Sequence, residues 1–599
     1  MKAVLEQQGF GATADALFKG RLRDLDNDGV GDPGGDFWTA DSFHTRDVIR
    51  QTEVDWMQLI RLLKTFDGKT VMDSVDGKAA TSLAGDFNGD GVVDVGGPNA
   101  DFFIWGESLG GILSAVLPAV EPSISAAAPV AAAGGLSDVG LRSTLGAVID
   151  AVLLEVLGPM VSSCQWDAQT GACTGGEPHD ALVWVVQQVS DEAHVLIARA
   201  PHVTFKAGDL VKVENLASGK VKTALVDSAG HVRVPIAADG PEYPIDYSKD
   251  PEHKLGKWDL TPGHFKDGDA MRITLCAANS DGTACAAGAT PQVVTTYQDL
   301  AQSYHDDATG KDVALPVRFI GRPYPVGSPL VSPARGFGLE RETPEFRRFW
   351  NLAEMTLEPG DPATYAPHWF EDLLPARANR PANVLLVLGA GDPIVPTSAG
   401  LNLARAGGLL DFEHLDPVYG ATDNDVLLAG HVMEGIARLK RFVPDAAGYA
   451  GTAPRHAHVT CDALSDCAGE TLLDVTGYSC DAQGASCADG FGTPRLTPPL
   501  KAQLEHDTCA GGRKGAGFTN CGTSALLLPM LNPHGQHGFT IPNPNAGFDY
   551  DTFLANKIFH FFETRGEDLV DDKCLAAEVN LEKSKVTPAC AFMPQPPQP

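Results

Sequence analysis

The chain has 599 residues, 20% of them charged, and a formal net charge of −32. That length fits one large domain with insertions, or roughly two to four domains. The surplus of negative charge excludes partners held by their phosphates, so neither nucleic acid nor an anionic membrane surface is expected. No apolar run reaches the ~18 residues of a membrane span, so no transmembrane segment is expected either.

In chain order, residues 21–36 are a polar Asp/Gly loop. Over 44–64 the apolar positions Val48, Ile49, Trp56, Leu59, Ile60, Leu62 and Leu63 fall at helical spacing, which predicts an amphipathic helix. A second Asp/Gly loop fills 73–99. Phe102-Phe103-Ile104-Trp105 then ends in glycine and reads as a buried parallel strand. Helical sequence follows from Leu109 until Pro118. Small apolar residues over 123–133 predict the next strand, and 137–157 a helix. From 196 to 300, short alternating runs such as Val203-Thr204-Phe205-Lys206 and His231-Val232-Arg233-Val234 predict an inserted β-rich module. The α/β texture returns by 345, with a buried strand at 383–388. Residues 410–522 form a second insertion, and a last strand (524–531) precedes a last helix (547–563).

The twelve cysteines fall into near neighbours: 164/173, 276/285, 461/467, 480/487, 509/521 and 574/590. Short intervals within pairs, and mostly much longer ones between them, are the pattern of local disulfides, each contributing about 2–3 kcal/mol in the chain-entropy model. Pairing among Cys461, Cys467, Cys480 and Cys487 stays open. No Cys-x-x-Cys occurs, which weighs against zinc or redox chemistry. An oxidising compartment follows, so the protein is expected to be secreted or on the cell surface. The start, Met1-Lys2-Ala3-Val4-Leu5-Glu6-Gln7-Gln8-Gly9, has no apolar core and no cleavage site and is not a signal peptide.

The chemistry centres on Gly106-Glu107-Ser108-Leu109-Gly110. A hydrophobic strand runs into this pentapeptide and a helix with small residues leaves it. The flanking glycines permit a tight turn and close packing of helix on strand, holding Ser108 strained and exposed. A hydroxyl needs a base to take its proton, and the base needs an acid to orient it. The strand at 383–388 ends in Gly389-Ala390-Gly391-Asp392, placing Asp392 just past a strand's C-terminal end, where open α/β sheets carry their ligands. Asp416 is its nearest competitor. After the last strand comes Asn532-Pro533-His534-Gly535-Gln536-His537-Gly538-Phe539, in which His537 is preferred as the base and His534 is the alternative. The order Ser, acid, His is that of the α/β-hydrolases.

The expected fold is therefore α/β: an α/β-hydrolase sheet without its first strands, carrying a β-rich insertion and a Cys-rich insertion. Its segments are 1–195 (core with the Asp/Gly loops and the nucleophile turn), 196–300 (β-rich module), 301–409 (core with the acid), 410–522 (Cys-rich) and 523–599 (last strand, His loop and helix). The Leu109 amide is one expected oxyanion donor. The second normally comes from an earlier strand–loop, and the residues before Ser108 leave no room for it. That absence and the missing signal peptide share one explanation, an N-terminally truncated form of a longer secreted enzyme.

Two loops share the spacing D-x-[DN]-x-[DN]-G: Asp24, Asp26, Asp28, Val30 and Asp32 in one, Asp86, Asn88, Asp90, Val92 and Asp94 in the other. Alternate oxygens and a backbone carbonyl converge when glycine allows the sharp turn, so structural Ca2+ is expected, with no organic cofactor. Both lack the acidic twelfth position, where Gly35 and Gly97 stand.

The stretch Thr45-Arg46-Asp47-Val48-Ile49-Arg50-Gln51-Thr52-Glu53-Val54-Asp55-Trp56-Met57-Gln58-Leu59, the Gly106–Gly111 turn and Leu357-Glu358-Pro359-Gly360-Asp361-Pro362-Ala363-Thr364-Tyr365-Ala366 resemble the large extracellular lipases of Gram-negative bacteria, including virulence-factor-type surface lipases. The resemblance spans about 44–135 and 345–400 plus the His segment, and implies a lipase or lysophospholipase-like esterase. The expected substrate is a lipid-like or other ester, with the oligomeric state open. Rival readings are a peptidase or polyester depolymerase on the same triad, and a non-catalytic calcium-binding surface protein on a degenerate hydrolase scaffold.

Overall fold

The structure, a computed structural model, describes mainly residues 42–70, 83–143, 154–238, 270–324 and 336–429, with short breaks, and then 500–506, 522–528, 537–538 and 550–569. The Asp24–Asp32 loop, Asp416, His534 and the eight cysteines from Cys461 to Cys590 lie outside the described residues. The chain divides into two units, one of them Thr144–Ala353 with Leu22–Ser42, the other the remainder.

The larger unit is built on α1 (Ser42–Lys64), β1 (Phe102–Glu107), α2 (Leu109–Val120), β2 (Ile124–Val130), α3 (Leu136–Arg142), β3 (Asn383–Val387), α4 (Thr397–Ala406), β4 (Leu500–His506), β5 (Gly522–Leu528) and α5 (Tyr550–Glu563). Its sheet has the order β1-β2-β3-β5-β4, the first four strands parallel and β4 antiparallel on β5. This is an α/β architecture. Both faces of the sheet are buried, and side chains divide between them with a period of two. Ala127, Val384, Leu386, Leu526 and Leu528 join Ala115, Trp369, Leu401 and Leu403 on one face. On the other, Ala126, Ala128, Leu385, Val387, Ala525 and Leu527 meet Leu554, Ile558, Phe561 and Phe562 of α5.

Four features differ from expectation. The α1 helix turns Thr45, Ile49, Glu53 and Ile60 inward, while Trp56, Leu59 and Leu62 face out. Its apolar pattern covers more than half a helix surface, so spacing alone did not choose the face. The α2 helix passes Pro118, which stands in its last turn. Of the predicted 137–157 helix, the described parts are α3 and the turn Leu154–Leu157. β4 falls inside the segment taken as a Cys-rich insertion, yet it is the sheet's edge strand.

The second unit is β-rich, and its strands begin at Pro159 and run to Phe337, well beyond the expected 196–300. One antiparallel sheet has the order Gln292–Tyr297, Met271–Ala277, Asp209–Asn215, Val221–Leu225. Another groups Cys173–Thr174, Pro159–Trp166, Ala181–Val186 and Val195–Arg199, with Arg233–Pro235 against Pro159–Trp166. Cys276 and Cys285 form a disulfide, and Cys164 is disulfide-bonded as well. Among the described residues no helix is long and apolar enough to cross a membrane.

Candidate active site

Ser108, Asp392 and His537 each follow the C-terminal end of a parallel strand, β1, β3 and β5 respectively. Parallel strands share an edge, so all three come out on the same rim of the sheet. The Ser108 amide donates to Val130 O at 3.0 Å, extending the β1–β2 ladder one residue past the strand. Ser108 then turns sharply, with φ 60° and ψ −120°, a left-handed conformation that L residues rarely hold. Its carbonyl accepts from the Ile112 amide, so α2 starts at once, and Leu109, its first residue, has an amide without an intrahelical acceptor.

Two glycines make the turn fit, and they are not the expected pair. A Cβ on Gly106 would collide with the Gly110 backbone, and one on Gly111 with Val130 O. A Cβ on Gly110 would meet nothing. Gly111 is therefore the residue that lets α2 lie close against β2.

Asp392 is 1% exposed. One carboxylate oxygen, Oδ1, accepts from the Ile394 and Val395 amides at 2.8 and 3.1 Å. The other, Oδ2, lies 2.8 Å from His537 Nδ1. Thr397 braces the loop, its Oγ1 accepting from the Asp392 amide at 3.2 Å and donating to Gly389 O at 2.7 Å. Burial pushes the Asp392 carboxyl up, against the bonds from His537, Ile394 and Val395. For His537, burial works downward, but the bond to Asp392 and the charges of Asp392 and Glu107 together raise it above its usual value. Gly538, at φ 75°, packs so tightly on Glu107 that any Cβ there would collide with that carboxylate. The His537–Gly538 step is thereby pressed against the residue next to Ser108. Sequence reasoning passed over Glu107, Thr397 and Gly111; Glu107 lies within the pentapeptide and Gly111 directly after it, and both were visible there.

The segment 354–380 holds the surrounding loops. Asp361 accepts from the Ala363 amide at 2.7 Å and the Leu136 amide at 2.5 Å, and Glu354 from the Ser137 amide at 2.8 Å. Burial and then the Glu354 charge push Asp361 up to about 7.

In the second Asp/Gly loop, Asp86 accepts from the Gly89 and Gly91 amides, Asn88 from Asp90, and Asp90 from Val92. Asp94 accepts from the Phe87 and Asn88 amides and from the Asn88 side chain. Gly89 and Gly91 take positive φ and have open space around them. Among the described residues no group of three or more His, Cys, Asp or Glu side chains is gathered as a metal site. Comparison with protein-family models, curated proteins and solved structures finds no match.

Proposed function

We propose that the chain is a secreted serine carboxylic-ester hydrolase of the α/β-hydrolase class that cleaves lipid-like acyl esters. The observation that carries this reading is the 2.8 Å bond between His537 Nδ1 and Asp392 Oδ2, on the same sheet rim as the strained Ser108 turn. With Nδ1 donating to Asp392, Nε2 is left as the base. Ser108 Oγ attacks the ester carbonyl while Nε2 takes its proton, and Asp392 stabilises the imidazolium. The Leu109 amide donates to the developing oxyanion. The imidazolium then protonates the leaving alcohol, and water attacks the acyl-serine by the reverse proton path. The Cys276–Cys285 disulfide supports an oxidising compartment.

The lipid-like substrate rests on the resemblance to extracellular lipases, and a structural Ca2+ rests on the spacing of the two Asp/Gly loops. In the second of these, Asp86, Asn88, Asp90 and Asp94 would hold the ion and the Val92 carbonyl would complete its shell.

A fluorophosphonate probe should label the protein at Ser108, and Ser108→Ala should abolish labelling. Hydrolysis of p-nitrophenyl esters should rise with acyl-chain length. Absence of a Ser108-dependent adduct would refute the enzymatic reading, and a strict preference for acetate would refute the lipase-like one.

A further inference from the structure

Two acids meet at the start of α3 in the larger unit. Asp361 accepts from the Leu136 amide, and Glu354, near the end of the helix Pro344–Leu357, accepts from the next amide, Ser137. The first amides of a helix point the same way, so acceptors on neighbouring ones stand side by side. Asp361 is buried and Glu354 half-buried. Among the described residues neither carboxyl has an ion pair.

The charged groups around them are engaged elsewhere. Arg46 of α1, which packs on Gly360, is held by Asp47 at 2.7 and 2.9 Å. On α3, Asp138 and Arg142 face each other at 3.7 Å, and both bond Ser398. On α4, Arg405 donates to Asn424. On the acids' own segment, the Tyr365 hydroxyl donates to Pro359 O, and Glu358 is exposed. Two carboxylates side by side with no cation between them repel, so the pair retains a proton that each acid alone would lose. Three of the four oxygens accept amides: Asp361 Oδ1 from Ala363, Asp361 Oδ2 from Leu136 and Glu354 Oε2 from Ser137. A proton on the fourth, Glu354 Oε1, costs none of these bonds.

What the pair holds together reaches the acid of the triad. A Cβ on Gly134 would press on Ala363 of the acids' segment and on Leu403 of α4, so three pieces of chain meet there. The Gly134 amide donates to Ala399 O at 2.9 Å, and Asn402 donates to Gly134 O at 3.1 Å. Ser398, bonded to Arg142, follows Thr397, whose hydroxyl braces the Asp392 loop. We propose that Asp361 and Glu354 form a proton-operated latch that clamps residues 354–366 to the start of α3 and, through the first turn of α4, steadies the Asp392 loop. Closing takes up one proton from solvent, and opening returns it as the carboxyls part. The latch is therefore tightest in acid. Burial and then the Glu354 charge raise Asp361 from 3.8 to about 7, which sets the window. Opening gains about tenfold per pH unit between those two values and levels off above the upper one. Only the link to catalysis rests on the hydrolase reading.

Hydrogen exchange of the full chain, without substrate, at pH 5 and pH 7.5, corrected for the intrinsic exchange rate at each, measures the opening. Segments 131–143, 354–366 and 396–403 should lose protection by roughly 100-fold at the higher pH, and β3 should not. Glu354→Gln keeps an acceptor for Ser137 and removes one charge, so the loss should shrink by about threefold or more. Asp361→Asn removes the titrating group and should flatten the response, even where the segments are looser at both pH values. The idea fails if the wild type is equally protected at both, if β3 loosens as much as the three segments, or if either folded variant repeats the wild-type change.

Discussion

His537 stands between two carboxylates: it is bonded to Asp392, and its partner glycine rests on Glu107. A general base must be neutral to act, so the acid limb of kcat/KM should follow the titration of His537 and lie above the ordinary 6.5. Glu107→Gln removes one of the charges that hold the imidazole up, and the limb should move to lower pH with the turn itself intact. An unmoved limb on a p-nitrophenyl ester would show that Glu107 does not act on the base. Glu53 makes a second prediction at this scale, on stability. Its folded pKa, raised from 4.5 to about 9, leaves it protonated in the fold while the unfolded chain ionises. A carboxyl raised in this way subtracts stability as pH climbs from its unfolded to its folded value, by about 3 kcal/mol at pH 7. Glu53→Gln should therefore match the wild type in melting temperature near pH 4 and exceed it increasingly up to pH 9. A constant difference across that range would contradict the assignment.

The helix α2 that follows Ser108 owes its position to contacts that arrive from about 250 residues away in sequence. The Trp369 indole donates to Ala115 O at 2.7 Å, and the buried Arg377 guanidinium donates to Pro118 O, Glu121 O and Ile124 O at 2.6, 2.7 and 3.0 Å. These carbonyls belong to the end of α2 and the start of β2, where a helix terminus leaves acceptors bare. Arg377 supplies the missing donors. Burial holds its pKa down, at about 10, still far above neutrality. Arg377→Ala should cost about 3–5 kcal/mol by stranding three buried acceptors, and thermal unfolding measures it. Gly111→Ala makes the complementary test on the other side of α2. The strands and helices that carry the site were legible because apolar runs ending in glycine mark buried parallel strands. The face of α1 and the membership of β4 were not, since both depend on what packs against them.

For the whole molecule, the proposed calcium is tied to the surplus of negative charge. Nine residues, Asp86–Asp94, place three carboxylates and an amide in one loop, in a chain with 77 acidic and 45 basic side chains. Ca2+ bound with the ~0.1–1 mM affinity of extracellular loops should add ~1–3 kcal/mol at 10 mM, and EGTA should reverse it. Asp90→Ala should diminish the increment, and a melting temperature indifferent to calcium would end the proposal. The sequence by itself determined the α/β class, the strand-to-helix turn at Ser108 and the positions of Asp392 and His537 just past predicted strands. These are local patterns of hydrophobicity, glycine and chain order. Only the tertiary structure decided that β4 closes the sheet edge, that the β-rich unit starts at Pro159, that His537 meets Asp392 with Glu107 beside it, and that Glu53 is buried without a partner. Each of these depends on pairing between residues far apart in the chain, and periodicity along one strand or helix carries no information about its partner.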